Sequence, residues 1–122
     1  MASAPADFTV LTGGAAVIYP AAVVGGRGAI LALASALPEK CAEVFELVQS
    51  GRHDEARKLQ LIVAAASKLI VSENGIPGVK LAMALRGYQA GVPRLPLLPP
   101  SEEKKQAIAA LIAQLHPVAA RA

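Results

Sequence analysis

Hydrophobic positions change their spacing along the chain, from short continuous runs near the start to a helical repeat further on. Residues 8–12 form an apolar, β-branched run that ends at a glycine pair, which is typical of a buried parallel strand. Residues 29–33 form a second run of this kind. The stretch 15–24 between them favours a helix, in which Pro20 predicts a kink or a late start. Together they predict one βαβ unit with parallel strands and a right-handed crossover.

From Pro38 onward, apolar residues recur at helical spacing, and Gly51 is a natural terminator of the first helix. A longer helix opens at His53, and a short one is predicted over 79–86, with Pro77 near its start and Gly87 as its stop. The predicted buried stripes comprise Leu37, Cys41, Val44, Phe45 and Val48 on the first helix, and Ala56, Leu59, Ile62, Val63, Ala66 and Ile70 on the second.

Residues 91–100 contain four prolines and predict an extended segment. Ser101, followed by two glutamates, caps a last helix that Pro117 ends. The apolar stripe of this helix is Ile108, Leu111, Ile112 and Leu115.

Composition excludes several classes of protein. Aromatic residues make up 3% of the chain and tryptophan is absent, which argues against a stacking platform for single-stranded nucleic acid. The net charge of +3 comes from scattered basic residues beside acidic ones, not from one basic patch. Cys41 is the sole cysteine, so an intrachain disulfide is impossible, and its apolar neighbours favour a buried position. We expect a cytoplasmic protein without metal or cofactor.

An uncharged stretch, residues 8–26, raises the alternative of a membrane span or an exported segment. Two glycine pairs and Pro20 divide it into a strand-sized and a helix-sized piece. A signal peptide begins with basic residues, and residues 1–7 contain none. A buried strand and a buried helix therefore remain the favoured interpretation, with no membrane partner.

The run Gly75-Ile76-Pro77-Gly78 with Lys80, the pair Gly87-Tyr88 and the proline-rich exit with Arg94 occur in a specific order. This order resembles the C-terminal end of the dihydrodipicolinate synthase and N-acetylneuraminate lyase family. Its members are class I aldolases and lyases on (β/α)8 barrels, and they work through a lysine Schiff base. The Gly-Ile-Pro-Gly run beside Lys80 and the Gly87-Tyr88 pair lean toward the 4-hydroxy-2-oxoglutarate aldolase-like branch.

The resemblance implies two substrate-pocket positions in this chain. Gly13 matches the glycine that ends the seventh barrel strand, and Ile30 matches the eighth-strand residue whose carbonyl approaches the catalytic lysine. Gly14 and Leu31 replace residues that are usually polar or acidic in the family.

A complete barrel of this kind needs about 250 residues, and this chain has 122. The resemblance therefore implies an α/β fold that is the C-terminal fragment of a (β/α)8 barrel: two parallel strands with helices, followed by a helical extension. The expected organisation is a disordered start (1–7), the last two βα units (8–50), the extension (51–117) and a tail (118–122). Whether Met1 is a natural start stays open.

In the family, the Schiff-base lysine, the proton-relay tyrosine and the carboxylate-binding pair precede the portion present here. The resemblance thus implies no catalytic residue in this chain, and a 2-oxo acid substrate only in a complete barrel. Lys80 belongs to the tail helix. The lysines are Lys40, Lys58, Lys68, Lys80, Lys104 and Lys105, all in predicted helices or loops.

Three hypotheses follow. The chain is part of a lyase or aldolase, a non-catalytic remnant or accessory subunit that associates with a full-length homologue, or an unrelated small helical binding module. Because two strands leave open edges, we expect a homo- or hetero-oligomer.

Overall fold

The structure, a computed structural model, describes Pro5 and residues 7–116. The predicted tail and Pro117 lie outside the described residues, as does most of the predicted disordered start. By their contacts the residues form two compact units, one that ends at Ser67 and one that begins at Lys68.

The first unit contains a small parallel sheet. Strand β1 (Leu11–Thr12) pairs with β2 (Gly28–Ala29), with Leu11 opposite Gly28 and Thr12 opposite Ala29. The predicted parallel pairing is therefore confirmed. Each strand has only two residues, and within the described residues each pairs with one neighbour.

The bounds and the burial predicted for the strands are wrong. Strand β2 begins one residue before the predicted run 29–33, and Leu33 instead opens a 3-10 turn, Leu33–Ser35. Phe8 and Ile30 are 64% and 76% exposed, although both were expected inside buried strands. Two strands have too few neighbours to cover both of their faces, so apolar side chains remain in solvent.

Helix α1 (Ile18–Val23) follows a 3-10 turn, Ala15–Val17, so the predicted late start is confirmed. Pro20 lies in the first turn, where its missing N–H breaks no intrahelical hydrogen bond. Ile18 and Ala22 point into the core of the first unit.

Helices α2 (Pro38–Gln49) and α3 (His53–Ser67) pack on each other and on α1. Most of the predicted stripe on α3 is buried, but Ile62 is exposed and its predicted burial is wrong. The fully or nearly buried apolar side chains of the first unit are Ala15, Ile18, Ala22, Leu33, Ala36, Leu37, Cys41, Val44, Leu47, Ala56, Val63 and Ala66.

A shared C-terminal motif ends three helices. At α2 the N–H of Gly51 donates to the Val48 carbonyl and that of Arg52 to the Leu47 carbonyl, with φ of +74° at Gly51. This is the Schellman arrangement, in which a residue without a Cβ adopts the left-handed conformation. The other two glycines in this position are Gly25 after α1 and Gly87 after the helix Gly75–Leu85. The predicted stops at Gly51 and Gly87 are therefore confirmed.

In the second unit, a π-helical turn (Lys68–Ser72) precedes α4 (Gly75–Leu85), and the last helix is α5 (Glu102–Leu115). Helix α4 starts four residues before the predicted 79–86 and includes Pro77 in its first turn. The Ser101 cap is confirmed, since its Oγ accepts from the Lys104 N–H at 3.4 Å. Helices α4 and α5 pack together, and Ile108 and Ile112 are buried.

Within the described part of the chain, no single helix is long and apolar enough to cross a membrane. Only a sharply bent helix pair, His53–Ser72 with Gly75–Leu85, meets those criteria together.

Candidate functional site

The two predicted pocket positions lie side by side. Gly13 directly follows β1 and Ile30 directly follows β2, and parallel strands place their carboxyl ends at one edge of the sheet. The Ile30 N–H donates to the Thr12 carbonyl at 2.9 Å, which fixes Ile30 beside the end of β1. The fold therefore brings Gly13 and Ile30 together at the edge where open α/β sheets bind ligands.

At Gly13 and Ile30 this edge presents backbone and one apolar side chain. A Cβ at Gly13 would meet no atom within 4 Å, so the space above this residue is open. Thr12 Oγ1 accepts from the Gly14 N–H at 3.3 Å and orders the turn that follows β1. Since neither Gly13 nor Ile30 carries a titratable side chain, these two residues can shape a cavity but supply no acid, base or nucleophile.

An apolar groove of about 290 Å³ lies beside β2. Its lining includes Ala29, Pro38, Cys41 and Phe45. Burial, and secondarily the charge of Glu39, raises the pKa of the Cys41 thiol to about 11. The thiol is therefore neutral at physiological pH and acts as a small apolar group, as its sequence neighbours predict.

All six lysines lie in helices or in the π-helical turn, and none follows a strand. Lys80 Nζ donates to the Ala90 carbonyl at 2.5 Å, so this side chain ties α4 to the loop after it within the second unit. Lys40, Lys104 and Lys105 form ion pairs with Glu43, Glu73 and Glu102 respectively. These four lysines therefore have packing or surface roles.

Tyr19 and Tyr88 both have side-chain partners. Tyr19 meets the His53 ring edge-on, with centroids 6.0 Å apart, and its hydroxyl accepts from Arg57 Nη1 at 3.3 Å. Tyr88 receives the Arg86 guanidinium 5.9 Å from its ring centre. Among the described residues, no three His, Cys, Asp or Glu side chains converge as a metal site would require.

Gln60, a residue that the hydrophobic pattern did not single out, is 7% exposed on α3. Its Oε1 accepts from the Tyr19 N–H at 2.7 Å, and its Nε2 donates to the Ala15 carbonyl at 3.0 Å. The available signal was its position, four residues after Ala56 and three before Val63, which places an amide on the buried stripe. A buried amide needs hydrogen-bond partners, and these are supplied from 41 and 45 residues away.

Comparison with known proteins agrees with the fold. The model of the Dihydrodipicolinate synthetase family matches residues 1–115. The chain is 34% identical over 113 residues to 4-hydroxy-tetrahydrodipicolinate synthase of Archaeoglobus fulgidus, covering 92% of this chain and 39% of that protein. It is 40% identical over 85 residues to a probable mitochondrial 4-hydroxy-2-oxoglutarate aldolase of Emericella nidulans, covering 69% of this chain and 27% of the relative.

Among solved structures, a dihydrodipicolinate synthase from Bacillus anthracis superimposes with a TM-score of 0.82 at 26% identity, covering 91% of this chain and 38% of that one. The chain thus spans less than two fifths of the length of each of these proteins. Its two parallel strands and helical extension correspond to part of a (β/α)8 barrel with its tail. The chain belongs to the dihydrodipicolinate synthetase family.

Proposed function

We propose that this chain is the C-terminal portion of a lyase or aldolase that forms a lysine Schiff base with pyruvate or another 2-oxo acid. In this proposal Gly13 and Ile30 line the substrate pocket, and the reactive amine comes from residues that this chain does not contain. The supporting observation is that Gly13 and Ile30 share one sheet edge without a lysine directly after either strand.

The mechanism divides the work between the two parts of a barrel. A lysine amine of low pKa attacks the keto carbon, water leaves, and the imine then accepts the electron pair of the breaking C–C bond. The edge described here contributes shape: Gly13 leaves room for substrate, and Ile30 adds an apolar surface. In a closed barrel, the complementing strands would pair with the free side of β1 and with the free side of β2.

An experiment with pyruvate and borohydride tests this proposal. Because none of the lysines follows a strand, the purified chain is expected to show no reduced pyruvate adduct by mass spectrometry. The Archaeoglobus fulgidus relative, treated in parallel, serves as the positive control.

A stoichiometric adduct on the isolated chain would contradict the proposal. Peptide mapping and the variant Lys80→Arg would then show whether Lys80 carries it, because that is the lysine within the family motif. Trace labelling spread over several surface lysines would leave no single reactive amine and would agree with the proposal.

The exposed apolar side chains support a second candidate, a non-catalytic subunit that pairs with a full-length homologue. Phe8 and Ile30 are exposed to solvent. The lateral side of β2 that does not face β1 has no partner strand among the described residues and is available for strand pairing. The two candidates differ in one result. In one experiment, the part of a barrel that carries the lysine is expressed separately. If it forms a pyruvate adduct only when this chain is added, the result supports the first candidate, a portion of a lyase or aldolase. Association with an already active homologue, without a gain, favours the accessory subunit.

A further inference from the structure

The start of α1 lacks a local cap. The N-cap residue, Val17, has no side-chain acceptor, and Pro20 has no N–H to be satisfied. The Tyr19 N–H, in the first turn of α1, therefore needs an acceptor from elsewhere. Gln60 Oε1 provides it at 2.7 Å, so an amide on α3 acts as the cap of α1.

The same amide holds the preceding turn. Gln60 Nε2 donates to the carbonyl of Ala15, the first residue of the 3-10 turn, at 3.0 Å. Within this turn the Val17 N–H donates to the Gly14 carbonyl at 3.2 Å, and the Gly14 N–H donates to Thr12 Oγ1 at 3.3 Å. Together with the covalent backbone from Ala15 to Val17, these hydrogen bonds connect Gln60 to the end of β1.

We infer that Gln60 is a positioning residue for the sheet edge at Gly13. Its two bonded atoms, the Ala15 oxygen and the Tyr19 nitrogen, lie two and six residues after Gly13. The inference depends on the proposed function only in taking Gly13 as a pocket residue. The amide acts through the loop between β1 and α1 and contacts no substrate itself.

The geometry distinguishes this role from general packing. An apolar side chain of similar length could fill the space of Gln60, but it would leave the Tyr19 N–H and the Ala15 carbonyl without these partners. The loop would then relax around Gly13 and Gly14, and the displacement would be local. A substitution that merely lowers stability would leave the loop in place in the folded molecules.

The test uses NMR spectra of the whole chain with Gln60→Met. We expect the amide hydrogen of Tyr19 to exchange with solvent at least about tenfold faster than the rate calculated from the variant's loss of global stability alone. We also expect the amide signals of Gly13 and Gly14 to shift. Gln49→Met, on the exposed face of α2, is the matched control and should change neither readout.

A second control separates position from stability. Val44→Ala removes a fully buried side chain from the same unit without touching either hydrogen bond, so it should lower stability with Gly13 and Gly14 signals unchanged. If Gln60→Met shifts the two glycine signals no more than Val44→Ala does, the inference is wrong.

Gln60→Glu keeps the acceptor for the Tyr19 N–H and replaces the donor to the Ala15 carbonyl by a carboxylate oxygen. The Tyr19 amide should then stay protected, while the signal of Ala16, whose N–H shares a peptide plane with the Ala15 carbonyl, moves. Equal loss of Tyr19 protection in both variants would contradict the assignment of the two bonds. This variant carries the test if Gln60→Met does not fold.

The outcome does not depend on catalysis. A pyruvate adduct on the isolated chain would refute the proposed function and leave these amide signals as expected. Unchanged glycine signals in Gln60→Met would refute the positioning role and leave the proposed function standing.

Discussion

The substitution Gly78→Ala should destabilise the second unit by about 2 kcal/mol. Overpacking is expected to cost up to about 3 kcal/mol, and the better helix propensity of alanine offsets about 1 kcal/mol of that cost. A Cβ at this position would overlap the carbonyl oxygen of Ile70 and lie 2.6 Å from Asn74 Cβ. The backbone carbonyl of Ile70 cannot move aside as the end of a flexible side chain can. The free-energy cost of the clash is therefore expected to exceed the gain in helix propensity from alanine.

Urea unfolding monitored by circular dichroism measures this effect. Gly13→Ala is the control, because a Cβ there meets no atom within 4 Å and the backbone does not require a glycine. Its midpoint should stay close to that of the parent chain. If Gly78→Ala were as stable as Gly13→Ala, the close approach of α4 to the π-helical turn would be wrong.

Ile18→Ala should have a large effect on the first unit, a loss of about 3 kcal/mol or more in the free energy of unfolding. Ile18 is 2% exposed at the start of α1, so its truncation is expected to leave a cavity in the core of the first unit. The neighbouring Val17 is 46% exposed, and Val17→Ala should cost well under 1 kcal/mol.

The same denaturant titration distinguishes the two variants. A marked difference between their midpoints is expected, with Ile18→Ala far lower. Equal midpoints would mean that α1 does not pack its Ile18 face into this core.

The helix ends were predictable because their signals are local. Gly25, Gly51 and Gly87 each stop a helix through a motif that spans six residues, and Ser101 caps the next helix through one turn. The parallel pairing also followed from the order of elements, since a strand, a crossover helix and a second strand allow one common arrangement.

Strand length and exposure were not predictable from local pattern. Ile30 has the composition of a buried strand residue, yet its burial depends on neighbours that only further strands could provide. Gln60 was not predicted either: it lies between stripe residues of α3, but its hydrogen-bond partners 41 and 45 residues earlier are a tertiary property. The pocket role of Gly13 and Ile30 came from family resemblance and remains a prediction.

The account depends most on the two strands lying side by side in one direction, since only that arrangement puts Gly13 and Ile30 at a shared edge. Interstrand nuclear Overhauser effects in the isotopically labelled chain measure this directly. We expect the parallel pattern, with Leu11 opposite Gly28, Thr12 opposite Ala29 and the Ile30 N–H protected by the Thr12 carbonyl. An antiparallel pattern, or no contact between residues 10–12 and 27–30, would contradict the barrel assignment and the candidate site together.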